Sequence, residues 1–326
     1  MMNRWAVALK FGRRLFFAYF CLITSDLVWL PSVTAAPLSP VTLYVGYSPG
    51  GLADQLARYA ATLLSDELQR PVQVKNFSGA NGVRASTEVA QAGPENPSLL
   101  LGDTALVIAY QTVPLSASDP LKFLPIGTLG YTPFALTVAA SSRITHLAEL
   151  LDDLHKNPAT ANYGSPGIYS VHQLSAIHLL QKARIKAQHI PYQGGSQMLS
   201  DLITQRLTFG FLSIPLARQY ESTLQLRTIA VTGPVRSVRL PHVPTLSETY
   251  PGMSAVSYAY LLAAPQTDPM LYRKISEAWG KILNKSAAVS GLQALGMEGA
   301  ALDATATRAQ IQKDTDHWRS VLNSTR

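Results

Sequence analysis

Three glycine-rich turns carry the side chains best placed for chemistry. Ser48-Pro49-Gly50-Gly51 separates a β-forming run from a helical stretch. Ser165-Pro166-Gly167-Ile168-Tyr169-Ser170 and Pro191-Tyr192-Gln193-Gly194-Gly195-Ser196 repeat the arrangement later in the chain. Such turns offer backbone amides with little side-chain obstruction. Where they feed a helix, free N–H groups and the helix dipole favour an anion. Asp54 follows the first turn, and two readings stay open for it. It caps its helix and pairs with the dipole, or it meets an ammonium or amide group on a ligand. Ser170 and Gln173 form an S-x-x-Q capping box, so Ser165, Tyr169 and Ser170 are either ordinary cap and loop residues or a second jaw of an anion site. Tyr192 is a lid or a packing residue.

Catalytic patterns are missing from the sequence. There is no G-x-x-x-x-G-K-[ST], no G-x-G-x-x-G after a strand and no H-E-x-x-H. Gly164-Ser165-Pro166-Gly167 lacks the residue that a G-x-S-x-G elbow needs between Gly and Ser. The seven histidines are scattered, and His172 and His178, six apart, do not share a helical face. No metal, cofactor or catalytic residue is expected. His172 packs, caps or touches ligand.

The elements that must position these turns alternate. Val41 to Tyr47, Val72 to Lys75 and Leu99 to Leu101 read as strands; Leu52 to Leu68 and Val83 to Ala92 read as helices. The alternation resumes with strands at 134–139, 161–163, 188–191, 207–212 and 226–231, an extended run at 256–263, and helices at 147–155, 198–205, 270–285 and 308–322. This order means parallel sheets with helices on their faces, an α/β fold. Ligands bind such sheets at the carboxyl ends of the strands, where the glycine turns fall. No Ser/Pro-rich linker divides the chain, so it should cross between two lobes more than once.

The chain has 326 residues, 47% hydrophobic and 14% charged, which excludes a disordered or collagen-like chain. Its net charge is +7. Arg4, Lys10, Arg13 and Arg14 precede an apolar run from Leu15, and Val33-Thr34-Ala35 precedes Ala36-Pro37. This is the pattern of a secretory leader cut after Ala35. The alternative is an uncleaved anchor, against which Asp26 interrupts the run. Gly12-Arg13-Arg14-Leu15-Phe16-Phe17 resembles a twin-arginine signal, which leaves the export route open. The leader holds four basic residues and one acidic, so its loss takes +7 to +4 and the lone Cys21 departs with it. The remaining basic residues are spread out, which argues against nucleic acid.

Taken in order, these turns resemble the solute-binding receptors of the tripartite tricarboxylate transporter family. Gly46-Tyr47-Ser48-Pro49-Gly50-Gly51-Leu52-Ala53-Asp54 is similar to that family's P-F-P-P-G-G-x-x-D loop. Gly79-Ala80-Asn81-Gly82-Val83 is similar to G-A-G-G-N, and Leu99 to Thr104 to L-L-L-G-T-S. Asn162 to Ser170, followed by His172, resembles N-Y-x-S-x-G-x-G-S, and Ile190 to Gly194 resembles V-P-Y-K-G. Leu226 to Thr232 and Leu240 to Thr245 complete the series.

The resemblance implies a type II periplasmic-binding fold, with two doubly wound α/β lobes and a twice-crossed hinge. Lobe 1 would hold residues 36–132 and 258–326, and lobe 2 residues 133–257. It implies a non-enzymatic, monomeric periplasmic receptor for a small organic carboxylate, with large and small membrane subunits as partners. Docking on a membrane sensor kinase is the alternative, and a secreted enzyme is a more distant one. The ligand-binding residues it implies are Tyr47, Ser48, Gly50, Gly51, Asp54, Asn81, Thr104, Ser165, Gly167, Tyr169, Ser170, Tyr192 and Ser213. Several depart from the family pattern. Ser48 replaces a proline, Asn81 a glycine, and Tyr169 a glycine. Asp103-Thr104 replaces Thr-Ser, and Ser213 is the polar residue nearest to Thr208 and Leu212, which stand where aspartates are usual.

Overall fold

A computed structural model describes residues 39–112, 119–192 and 195–323. The expected leader, and Gln193 and Gly194 of the third turn, lie outside the described residues. The chain opens as its spacing predicts. β1 (Val41–Val45) buries alternate residues, and α1 (Leu52–Leu68) buries Leu56, Ala57, Ala60, Ala61 and Leu64 on one face. β2 (Val72–Asn76), α2 (Val83–Ala90) and β3 (Ser98–Asp103) follow, and β1 pairs in parallel with both β2 and β3. β9 (Val256–Ala263) lies antiparallel to β3, and the first half of β4 (Leu124–Ala139) lies antiparallel to β9. This first sheet has the order β2-β1-β3-β9-β4.

β4 then changes sheets. Pro133 still pairs with Val256, but Phe134 pairs with Ser213, the last residue of β7 (Phe209–Ser213). From there β4 is flanked by β7 and β8 (Leu226–Val231), both antiparallel, while β5 (Asn162–Ser165) lies parallel between β7 and β6 (Gln188–Pro191). Helices α4 (Leu147–Lys156), α5 (Val171–Ala183), α6 (Gly195–Ile203) and α7 (Ile214–Ser222) connect these strands.

The chain returns through α8 (Leu246–Thr249) to β9. Buried Thr232 ties the two crossings together: its N–H donates to the Phe134 carbonyl (2.9 Å), its hydroxyl oxygen accepts from the Phe134 N–H (2.8 Å), and its carbonyl accepts from the Ala255 N–H (3.0 Å). After α9 (Pro269–Leu283) and α10 (Ser286–Ala294), α11 (Ala304–Asn323) makes a third connection. Its Trp318, Val321 and Leu322 are buried in the same core as Phe134, Leu174 and Phe209 of the second sheet. The apolar face of α11 is shared: Ile311 is buried with Leu100, Leu106 and Phe123 on the first-sheet side, while Trp318, Val321 and Leu322 join the second-sheet core.

Because β9 runs antiparallel to β3, Asp103 at the end of β3 lies opposite Ala259, near the start of β9 and the Pro133 crossing. Likewise the end of β7 lies against Phe134. The parallel strands of both sheets therefore end toward the crossover, and so do the loops that follow them.

Candidate functional site

On the first sheet, Gly51 caps α1 without any side-chain hydrogen bond, so the first-turn N–H groups are left without a side-chain partner. Gly50 takes φ +85, a conformation that favours glycine, and Gly46 approaches so closely that a Cβ on it would lie 2.3 Å from the Gly82 Cα. The first and second glycine turns thus meet backbone to backbone. In the second turn, Gly79, Ala80, Asn81 and Gly82 all have positive φ, and Asn81 is exposed. Ser48, also exposed, lies with its Oγ 3.4 Å from the Ser78 Oγ.

Asp54 resolves to loop positioning. It is buried, and its carboxylate accepts from the Gly50 N–H (2.9 Å), Arg58 Nε (2.9 Å) and Asn76 Nδ2 (2.9 Å). The Arg58 hydrogen bond, with that from Gly50, holds its pKa down at about 2. Oδ2 accepts from Gly50 and Arg58, and Oδ1 from Asn76, so the carboxylate ties the first turn to α1 and β2. Tyr47 donates its hydroxyl to Asp103 Oδ2 (2.6 Å), while Asp103 Oδ1 accepts from the Leu106 N–H (3.1 Å) at the start of α3 (Thr104–Thr112). Burial pushes both Tyr47 and Asp103 upward.

Thr104 opens α3. It is fully buried, donates to Asp314 Oδ2 (3.1 Å) on α11 and accepts from the Tyr258 N–H (3.0 Å). Tyr260 donates to the same carboxylate oxygen (2.5 Å), and Gln310 Nε2 to the other (2.6 Å). Its neighbours on α11 and β9, distant in sequence, turn a loop-like threonine into part of a buried polar cluster.

On the second sheet, Ser165 is buried at the end of β5, and its hydroxyl belongs to a relay that His189 organises. Gln173 Oε1 accepts from the Tyr169 N–H (2.5 Å), which turns the Gln173 Nε2 toward His189 Nδ1 (3.1 Å). An amide NH2 donates, so Nδ1 accepts and the imidazole proton sits on Nε2. Nε2 then donates to Ser165 Oγ (2.8 Å), and Ser165 donates to the Gly167 carbonyl (2.9 Å). Burial lowers the His189 pKa, which suits this neutral tautomer. Ser170 caps α5 by accepting from the Gln173 N–H (3.2 Å). The reciprocal half of the expected capping box is absent, because Gln173 bonds the N–H of Tyr169 instead of that of Ser170.

Gly167 has open space where a Cβ would stand, and Tyr169 is exposed at φ +59. Tyr192 donates its hydroxyl to Asp201 Oδ2 (2.7 Å) and its N–H to the Ser165 carbonyl (3.0 Å). It is pinned to its own sheet, and burial with the Asp201 bond pushes it up to about 12. Ser213 is exposed at the start of α7, and its side chain makes no capping hydrogen bond. His172 is half-buried with its ring 4.4 Å from that of Phe134, and burial lowers it to about 4. It packs at the crossover.

The structure thus brings Tyr47, Ser48, Gly50, Gly51 and Asn81 to one side of the crossover and Gly167, Tyr169, Ser170 and Ser213 to the other. Asp54, Ser165 and Tyr192 support these loops from beneath. Sequence reasoning missed the roles of Asp103, Asn76 and His189, and read Gln173 only as half of a capping box. His189 had a usable signal, a polar residue inside a strand that runs into a glycine turn. A concavity of about 500 Å³ lies elsewhere, at the amino ends of β1 and β3, lined by Ser39, Thr42, Tyr44, Glu95 and Ser98.

The profile of the tripartite tricarboxylate transporter family receptor matches residues 56–326. The UPF0065 protein of the gbd 5′ region of Cupriavidus necator is 31% identical over 253 residues, 76% of each chain. A TctC solute-binding protein from Polaromonas superposes with a TM-score of 0.76 at 26% identity, covering 88% of this chain and 99% of that one. Rpa4515 of R. palustris, solved with adipate, gives a TM-score of 0.74 at 24% identity, covering 88% of this chain and 97% of that one. The chain therefore belongs to the tripartite tricarboxylate transporter receptor family, whose members are solute-binding receptors and not enzymes.

Proposed function

We propose that this chain is a periplasmic receptor that closes its two sheets over a small organic carboxylate. The observation that carries the reading is geometric. The uncapped N-terminus of α1 and the open Gly167 loop stand on different sheets, and both follow strands that end at the Pro133–Phe134 crossover. The lobes are those built on the two sheets, with Pro133–Phe134 and the Thr232–Ala255 return as their hinge. The carboxylate lies on the Gly51 amide and the first-turn amides of α1, where N–H groups and the helix dipole favour negative charge. Contacts made on both sides of the cleft shift the population toward the closed form. The adipate complex of Rpa4515 supports this ligand class.

The receptor delivers its ligand to the membrane subunits of a tripartite transporter, as the family's description implies. An N-terminal leader cut after Ala35 directs its export. Calorimetry across a carboxylate panel tests the reading. Gly51 has φ −75, and a Cβ added there would meet only the Ser48 carbonyl, at 3.8 Å, so Gly51→Val folds normally while covering the α1 amides. It should weaken the best ligand at least about tenfold, the worth of a lost hydrogen bond to a charged group. Unchanged affinity in Gly51→Val places the anion elsewhere.

A further inference from the structure

The loop after β5 holds a tyrosine in a backbone conformation that suits glycine. Tyr169 has φ +59, where a Cβ is crowded, and bulky residues persist there only when their surroundings hold them. The Ser165–His189–Gln173 relay does so, ending on the Tyr169 N–H at 2.5 Å. The residue stays 43% exposed. Ile168 beside it is 59% exposed, and Leu52, at the start of α1 on the other sheet, is 43% exposed. These are three of the seven large apolar side chains exposed among the described residues; Ile168 and Tyr169 stand on a loop and Leu52 on the first residue of α1, all toward the crossover.

Charged side chains near these loops have partners within their own sheet. Asp54 is paired with Arg58, Asp103 accepts from Tyr47, and Arg84 lies over the Phe77 ring (4.9 Å) while donating to the Ser78 carbonyl (3.1 Å). A second carboxylate on the ligand would find no cation on the loop at 165–170. An apolar, planar body would instead meet Leu52 on one side and Ile168 and the Tyr169 ring on the other. Resting on the receptor reading above, we propose that Tyr169, with Ile168 and Leu52, forms an apolar clamp that selects a carboxylate with an aromatic body. The carboxylate takes the α1 amides, and the aromatic ring packs on Tyr169 by offset or edge contact.

Calorimetry with benzoate and with succinate tests the clamp on wild type, Tyr169→Ala and Tyr169→Gly. Wild type should bind benzoate at least about tenfold more tightly than succinate, and Tyr169→Ala should lose about tenfold for benzoate and under about twofold for succinate. Tyr169→Gly should lose the same benzoate affinity yet melt at a higher temperature than wild type, because glycine relieves the left-handed strain. That pairing separates a lost contact from a lost fold. Succinate preferred by wild type, with Tyr169→Ala neutral, overturns the clamp and leaves the receptor reading standing. So does an equal loss for both ligands, which would make Tyr169 a contact between the closed loops. If neither probe binds while another carboxylate of the panel does, the clamp fails alone. Silence across the whole panel fails the receptor reading as well.

Discussion

His189 decides the shape of the second-sheet loop through the position of one proton. With the proton on Nε2, each group from Tyr169 to Gly167 has one donor facing one acceptor. Charging the ring would set Nδ1–H against the Gln173 NH2, so acid conditions oppose the relay. Truncation should also be costly: His189→Ala leaves the Gln173 amide without its acceptor and should destabilise by about 1–3 kcal/mol in urea unfolding. The same direction holds for other buried imidazoles. His178 and His317 meet edge to face at 4.8 Å between α5 and α11, with His178 Nδ1 and His317 Nε2 both unbonded. Burial, with the neighbouring His317 and Lys182, lowers His178 to about 4, and burial, with Lys313 and Lys182, also lowers His317.

An unfolded histidine takes up its proton near about 6.5, whereas folded His178 does so only near 4. Stability is therefore full above that ordinary value and falls as pH drops from there toward 4. Melting temperature against pH should show this slope, and His178→Leu should flatten part of it. A slope unchanged in His178→Leu would place the proton uptake on other groups.

At the scale of elements, β4 was half legible. Phe134 to Ala139 reads as a strand, but Leu124 to Pro133 carries Pro125, Gly127, Gly130 and Pro133, which resemble punctuation. The ladder absorbs them through register shifts between Pro125 and Gly127 and between Thr128 and Gly130. α3 was missed because Leu106, Val107, Ile108 and Ala109 are all buried, which erases the amphipathic period. The glycine turns were legible because backbone conformation demands particular residues there. The partners of Thr104 were not, since Asp314 lies 210 residues away. That cluster joins the starts of α3 and β9 to α11. Asp314→Ala strands the hydroxyls of Thr104 and Tyr260 and the Gln310 amide, and should cost about 3–5 kcal/mol in denaturant unfolding, as breaking a buried network does. A loss under about 1 kcal/mol would mean that water replaces the carboxylate.

Across the whole molecule, contacts away from the glycine turns also link the two sheets. Ser237, in the β8-to-α8 loop, donates to Glu298 Oε1 (2.5 Å), and Arg239 Nη1 lies 3.9 Å from the same oxygen. Glu298 exchanges backbone hydrogen bonds with Tyr131 on the first-sheet half of β4, whereas Leu240 packs into the core of the second sheet. This tie biases whichever lobe arrangement it is made in. Glu298→Gln keeps the size and one acceptor but drops the charge, so it should change apparent ligand affinity severalfold without touching the ligand loops, through the competent fraction of receptor. Calorimetry on Glu298→Gln reads that change, and identical affinity would show the tie to be indifferent to closure.

Closure over a carboxylate is the central claim, and small-angle X-ray scattering of residues 36–326 with and without the best ligand of the panel tests it most directly. The account predicts a smaller radius of gyration at saturation in wild type. Gly51→Val, titrated with the same ligand concentration, should keep the ligand-free value. A wild-type radius that stays constant while calorimetry reports full occupancy would contradict closure of the two sheets around the ligand.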